Sequence, residues 1–250
     1  MRIAVVTGAS SGIGEATARE LTRRGWRCVL LARRAERLEP LAAELGGEFE
    51  VCDVSDRAEV ERVAAALLAR HPRIGLLVNN AGIPGRGDFF TLEPERIEAV
   101  LRTNYLGGVW LTRAFEPGLL PGTHVVNVVS VAGTVAFAPA GPYAASKHAQ
   151  LAFSRSLTGL LGKRGVQVHT VLPGFVETEG FPQKAVLSSG FFRRAVVGPE
   201  LVAERIVDAV ESGKAELFVP RWYRFFALAQ AIAPGLVRRL VARSGYRRTG

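Results

Sequence analysis

Tyr143 and Lys147 stand four residues apart in the segment PYAASKHAQ, residues 142–150. On a helix that spacing puts both side chains on one face. A free tyrosine has a pKa near 10 and is a sluggish proton donor at neutral pH, whereas a cation within about 4–6 Å favours the phenolate and lowers such a pKa by about 1–3 units. The pair therefore predicts a phenol tuned for general acid–base work. The small neighbours Ala144, Ala145 and Ser146 would let a flat ligand approach the helix. Thirteen residues before Tyr143, Ser130 closes the apolar run HVVNVVS. That position predicts a hydroxyl at the carboxyl edge of a sheet, able to hydrogen-bond a carbonyl oxygen.

A second chemical feature opens the chain. VVTGASSGIGEATARELTRRG, residues 5–25, runs from a strand through a glycine turn into a helix. Gly8, Gly12 and Gly14 allow a tight turn and let backbone N–H groups approach a pyrophosphate at the helix N-terminus. Their spacing is G-x-x-x-G-x-G, not the general dinucleotide fingerprint G-x-G-x-x-G. Some twenty residues beyond such a turn, an acidic group selects the ribose hydroxyl of NAD, whereas arginine accommodates the extra phosphate of NADP. Here the strand CVLLA ends in Arg33 and Arg34, with no carboxylate before Glu36. A guanidinium matches phosphate bidentately. NADP(H) is the predicted cofactor and NAD(H) the alternative.

These groups need a frame to position them. Apolar, β-branched runs at 2–7, 27–32, 48–52, 75–79, 123–130, 166–172 and 215–219 alternate with helical patterns near 12–24, 35–46, 56–70, 93–116, 143–162 and 199–212. Runs such as GLLVNN are continuously apolar, as expected when helices cover both faces of a parallel sheet. The pattern predicts an α/β fold: a doubly wound, seven-stranded parallel sheet of Rossmann type with helices on both faces. Residues 1–220 form the expected single domain, and 221–250 an apolar, Arg-rich helical extension of it. Residues 174–195, Gly- and Ser-punctuated and aromatic, predict a functional loop or small helical lid.

Composition narrows the classes. At 250 residues, 48% hydrophobic and 22% charged, the chain can fill one core, and disorder is not expected. Cys28 and Cys52 lie in apolar strands, and the RIAVV run begins at Arg2 with no secretory pattern before it, so a reducing, cytoplasmic setting is expected. His71, His124, His148 and His169 lack ligand-like spacing, and no metal is predicted. The arginines behind the net charge of +9 are spread along the chain and densest in RRLVARSGYRR at its end, which reads first as a solvated surface, next as attraction for a phosphorylated cofactor or an anionic membrane, and last as a nucleic-acid interface. The apolar stretch between Arg224 and Arg238 is shorter than the roughly 20 residues of a membrane span. Packing of 221–243 on its own domain or on a second subunit is the favoured expectation, and a peripheral membrane contact is the rival.

TGASSGIG at 7–14, Asp53–Val54, NNAG at 79–82, Asn104, NVVSVAG at 127–133, YAASK at 143–147 and PGFVET at 173–178 occur in one order and spacing. Over residues 2 to about 219 this set closely resembles the short-chain dehydrogenase/reductase family. The resemblance implies that Tyr143 donates the proton in reduction and accepts it in oxidation. It implies that Lys147 lowers the pKa of Tyr143 and binds the nicotinamide ribose, that Ser130 orients the carbonyl, and that Asn104 holds a water in a proton relay. It also implies a cofactor track of Gly8, Ser10, Ser11, Gly12, Ile13 and Gly14, then Arg33 and Arg34, with Asp53 and Val54 at the adenine. Asn80, Ala81 and Gly82 continue the track, and Pro173, Gly174, Val176 and Thr178 border the nicotinamide. A homodimer or homotetramer is expected from the same resemblance. Val129 departs from it, standing where many members have a first serine, and the chain after ELFVP lacks the Gly-rich ending of the acyl-carrier-protein reductases.

The expected substrate pocket spans residues 84–90, 131–142 and 174–195, with Phe89, Val135, Phe137, Phe175, Phe181, Phe191 and Phe192. Such walls suit an apolar ketone or aldehyde and the matching alcohol. The expected function is NADP-dependent carbonyl–alcohol interconversion. An NAD-dependent alcohol dehydrogenase and a non-catalytic nucleotide-binding scaffold or sensor are the alternatives.

Overall fold

The computed structural model describes residues 2–85, 87, 89–135, 141–179 and 195–243. Seven parallel strands form one sheet in the spatial order β3-β2-β1-β4-β5-β6-β9. They are β1 (Arg2–Thr7), β2 (Trp26–Ala32), β3 (Glu48–Val51), β4 (Leu76–Asn79), β5 (His124–Val128), β6 (Gln167–Pro173) and β9 (Glu216–Val219). Alternate side chains feed two separate cores. Ala4, Val6, Leu30 and Val78 pack with Leu21 of α1 (Gly12–Arg23), Leu38 of α2 (Ala35–Leu45) and Ile206 of α7 (Pro199–Ser212). Ile3, Val5, Leu31 and Leu77 face Val63 of α3 (Arg57–Arg70), Leu111 of α5 (Gly107–Ala114) and Leu157 of α6 (Gly141–Gly162). Both faces are therefore covered, which is why the strands read as unbroken apolar runs. The doubly wound, seven-stranded expectation holds.

The order reverses between β1 and β4, and a crevice opens there at the carboxyl ends of the strands. Thr7 ties its two lips together. Its hydroxyl donates to Val78 O at 3.0 Å and accepts from the N–H groups of Asn80 at 3.0 Å and Ala81 at 3.1 Å. A buried polar row crosses the sheet beside it. Asn79 Nδ2 donates to Asn127 Oδ1 at 2.9 Å, Asn127 Nδ2 donates to Ser154 Oγ at 2.9 Å, and Ser154 Oγ lies 2.7 Å from Thr170 Oγ1. In a low-dielectric interior such a chain fixes register, because any slip would strand its polar atoms.

Three local departures from the sequence expectations bear on the site. The helix expected over 93–116 is interrupted. It runs as α4 (Pro94–Leu101), a π-helical turn (Arg102–Leu106) and α5, with a 3-10 turn at Glu116–Gly118. The π turn carries Asn104, the kind of insertion that recurs at functional positions. The segment after β6 forms a small parallel pair, β7 (Phe175–Val176) with β8 (Val196–Val197), which brings the two ends of the expected loop together.

The third departure is the tail, which forms α8 (Arg224–Ile232) and α9 (Pro234–Arg243). Among the described residues α8 packs only lightly on its own domain, with Phe226 against Trp222 and Tyr223 and none of its residues buried. Its apolar side chains project from the sheet layers, and only Tyr223 just before it enters the fold.

Glycines in this frame divide by what surrounds them. A Cβ at Gly14 would sit 2.2 Å from Gly8 O, whereas one at the exposed Gly159 in α6 would meet nothing within 4 Å. Gly159→Ala should raise stability by about 0.5–1 kcal/mol through helix propensity. Gly14→Ala should lower it by about 1–3 kcal/mol through overpacking. Urea midpoints of the two variants check both signs.

Candidate active site

The crevice is a cleft of about 450 Å³. Its first wall is the glycine turn. Gly8 and Gly12 sit at φ +65° and +58°, a backbone region that strains any residue with a Cβ. At Gly8 such an atom would also lie 2.9 Å from Ala81 Cα. The turn leads into α1, whose N-cap Ser11 makes no side-chain capping bond, so the first-turn N–H groups are left for an anion. A diphosphate fits this cradle for reasons of backbone shape alone.

Arg34 shapes the next stretch. Its Nη2 donates to Ser11 Oγ at 2.9 Å and to Ser10 Oγ at 3.1 Å, and its Nη1 approaches Glu179 at 3.5 Å. Arg33 is 67% exposed, and its ion pair with Asp53 is loose at 3.6 Å. Two guanidinium groups thus stand at the end of β2 in different settings, one braced on the glycine turn and one solvated. Asp53 in turn accepts from Ser55 N at 2.9 Å and Ser55 Oγ at 2.7 Å, which holds the loop after β3.

The far wall comes from β5 and α6. Ser130, just past β5, accepts from Ala132 N at 3.1 Å and donates to Pro173 O at 3.5 Å. It also hydrogen-bonds the Tyr143 phenol, an effect that favours ionisation but is outweighed by burial, which pushes the phenol up to about 12. Lys147 is 4% exposed, and burial pushes its amine down to about 7. The amine lies 5.8 Å from the centre of the Tyr143 ring and donates to Val128 O at 3.1 Å and Gln150 Oε1 at 2.7 Å. Burial opposes the acidification of Tyr143 expected from Lys147. Protein groups alone keep the phenol protonated, because desolvation disfavours the phenolate and the ammonium together.

Among the expected residues, Gly8, Ser10, Ser11, Gly12, Ile13, Arg33, Arg34, Asp53, Val54, Asn80, Ala81, Gly82, Ser130, Tyr143, Lys147, Pro173, Gly174, Val176 and Thr178 line this cleft. Two do not. Gly14 lies behind the turn and permits its contact with Gly8. Asn104 is buried behind Ile83, where its Oδ1 accepts from Ile83 N at 2.7 Å and its Nδ2 donates to Ile83 O at 3.1 Å and Ser146 Oγ at 3.1 Å. These bonds pin the loop beside α6 and use both Nδ2 hydrogens, and Oδ1 keeps a second acceptor site.

Sequence reasoning missed Gln150 and Glu179. Gln150 stands one turn beyond Lys147, and that i, i+3 spacing was the available signal. Of the expected apolar pocket residues, Val135 is buried, Phe89 is exposed over Gly141, and Phe175 is 37% exposed. Phe137, Phe181, Phe191 and Phe192 lie outside the described residues.

The sequence pattern described as "short chain dehydrogenase" matches residues 2–185. The chain belongs to the short-chain dehydrogenase/reductase family. As a member of this family it is an NAD(P)-dependent oxidoreductase acting on CH–OH groups. It is 34% identical over 239 residues to human short-chain dehydrogenase/reductase 3, covering 92% of this chain and 78% of that protein. The structure of an actinorhodin polyketide ketoreductase variant with NADPH is similar, with a TM-score of 0.78, 31% identity and coverage of 87% of this chain and 95% of that one. So is a Burkholderia phymatum short-chain dehydrogenase/reductase in complex with NAD, with a TM-score of 0.83, 26% identity and 94% of each chain covered.

Lys147 gives this short-chain dehydrogenase/reductase a pH signature of its own. Held at about 7 when folded, against an ordinary 10.5, the amine binds more protons in the unfolded chain between those values. Stability from this group should therefore rise as pH climbs from 7 toward 10.5. Tyr143, held up to about 12, acts oppositely above its ordinary 10.0. Urea midpoints measured from pH 7 to pH 9.5 should rise more in the native chain than in Lys147→Met.

Proposed function

We propose that the chain is an NADP-dependent reductase of an apolar ketone or aldehyde, residues 1–220 forming its catalytic domain. The observation that carries this reading is the meeting of Ser130, Tyr143 and Lys147 at the sheet edge, in the same cleft as the glycine cradle and the β2 arginines. The cradle residues Gly8, Ser10, Ser11, Gly12 and Ile13 would hold the diphosphate, and Asp53 and Val54 the adenine end. Asn80, Ala81 and Gly82 would lie along the middle, and Val176 and Thr178 at the nicotinamide end. Bound NADPH supplies the hydride that reaches the carbonyl carbon.

The rest of the chemistry falls to the chain. Ser130 and Tyr143 would both donate hydrogen bonds to the carbonyl oxygen, which polarises the carbonyl. As the carbon gains the hydride, the oxygen takes the proton from Tyr143 Oη, leaving alcohol and phenolate. A phenol held at about 12 is fully protonated at neutral pH, so it is always loaded for reduction. Lys147, beneath the ring, would stabilise the phenolate that forms and bind the nicotinamide ribose, and Gln150 would orient its amine. Val129, buried beside Ser130, gives the cleft an apolar side chain next to the reacting groups, which favours an apolar substrate.

A carbonyl library followed by NADPH oxidation tests the activity. Tyr143→Phe should lower turnover by about a thousandfold or more, through loss of the proton donor, and leave NADPH affinity within about twofold. Wild-type turnover in that variant would end the assignment. Cofactor choice has its own test. Arg33→Asp should weaken NADPH binding by about tenfold to a hundredfold and leave NADH binding equal or tighter, as charge-assisted phosphate bonds of about 1.5–3 kcal/mol require. Equal losses for both cofactors would remove Arg33 from the phosphate site.

A further inference from the structure

The tail presents an apolar surface that none of the described residues covers. In α8, Phe225, Leu228 and Ile232 recur at i, i+3 and i+7 and are 58%, 54% and 74% exposed. Leu236 in α9 and the half-exposed Phe226 and Trp222 extend the patch. A monomer rarely leaves so many large apolar side chains together in water, and a patch of this kind marks a contact.

Charge decides the occupant. From Arg221 to Gly250 the sequence holds seven arginines and not one Asp, Glu or Lys, which accounts for most of the net charge of +9. Arg221, Arg224 and Arg239 are exposed beside the apolar stripe. A second copy seated on the same face would set arginine against arginine with no carboxylate between them. An anionic lipid surface complements both features at once, taking the apolar face into its interface and the guanidinium groups at headgroup level. Neither helix is long and apolar enough to span a bilayer, so the segment would lie in the membrane plane.

We propose that residues 221–243 dock the enzyme on an anionic bilayer, a role separate from its redox chemistry. The attachment adjoins the cleft. Tyr223 donates to Ala195 O at 3.1 Å and accepts from Phe175 N at 3.5 Å, joining both ends of the 175–195 segment to the start of the tail. Its ring lies so close to Gly174, a cleft residue, that a Cβ there would be 2.1 Å from Cε2. A docked tail would hold the mouth of the cleft near the lipid, where an apolar carbonyl partitions.

Flotation of the full-length protein with vesicles of equal parts phosphatidylglycerol and phosphatidylcholine, against phosphatidylcholine alone, tests this. The protein should bind the anionic vesicles about tenfold or more tightly, with the difference shrinking at high salt. The triple variant Phe225→Ser, Leu228→Ser, Ile232→Ser should lose about tenfold or more of that binding. Because Phe225, Leu228 and Ile232 are each more than half exposed, the thermal midpoint and NADPH affinity of this variant should match those of the native chain. Arg224→Ser with Arg239→Ser should reduce binding to anionic vesicles and not to neutral ones. Equal binding to both vesicle types would overturn the proposal. So would absence of flotation, with or without light scattering showing that the triple variant converts a dimer to a monomer; the latter would give the face to a second copy. Flotation without any turnover would count against the proposed reductase alone.

Discussion

A phenol and an amine share one buried turn of α6, and each is harder to ionise there than in water. Burial holds Tyr143 up at about 12 and Lys147 down at about 7, so both tend toward their neutral forms. The rest of the site is arranged around that constraint. Ser130 offers the phenol one hydrogen bond, and Val128 and Gln150 give the amine two acceptors that are themselves uncharged. No carboxylate bonds Lys147 among the described residues. A pair kept this way holds the phenol protonated at neutral pH but makes it a weak donor, so the amine beneath the ring is the group placed to steady the phenolate as the proton leaves.

Placing two such groups at a sheet edge requires a rigid frame, and the frame is built from short polar staples. Thr7 binds the turn after β4 to the glycine turn after β1, so the two lips of the cleft cannot move apart independently. Asn104 fastens the Ile83 loop to α6 through Ser146. The row Asn79–Asn127–Ser154 fixes β4, β5 and α6 in register beneath Lys147. Each staple is a side chain hydrogen-bonded inside the protein, which makes it costly to break and directional in what it positions.

Most of this was legible in the residues. Continuous apolar runs gave the parallel sheet, because a strand covered on both faces has no polar side to show. Glycines at 8, 12 and 14, the arginines ending β2 and the Tyr143–Lys147 spacing located the cleft, since each carries its geometry in the local chain. What escaped depended on long-range contacts. The π turn at Arg102–Leu106 has no local signature, and the bonds of Asn104 to Ile83 arise only in the folded chain. The acidifying effect of Lys147 was inferred from distance alone, without the desolvation that burial adds. The tail was expected to pack on its own domain or on a second subunit, and among its described side chains only Tyr223 is buried.

Direct titration of the Tyr143 phenol, by tyrosine ring-carbon NMR with Tyr143→Phe to assign the signal, tests the central claim that burial and not Lys147 governs its proton. In the protein alone the resonance should hold its protonated position through pH 10 and move only near pH 12. With NADP⁺ added it should move at lower pH. Ionisation below pH 10 in the protein alone would show that Lys147 outweighs burial, and would contradict the account.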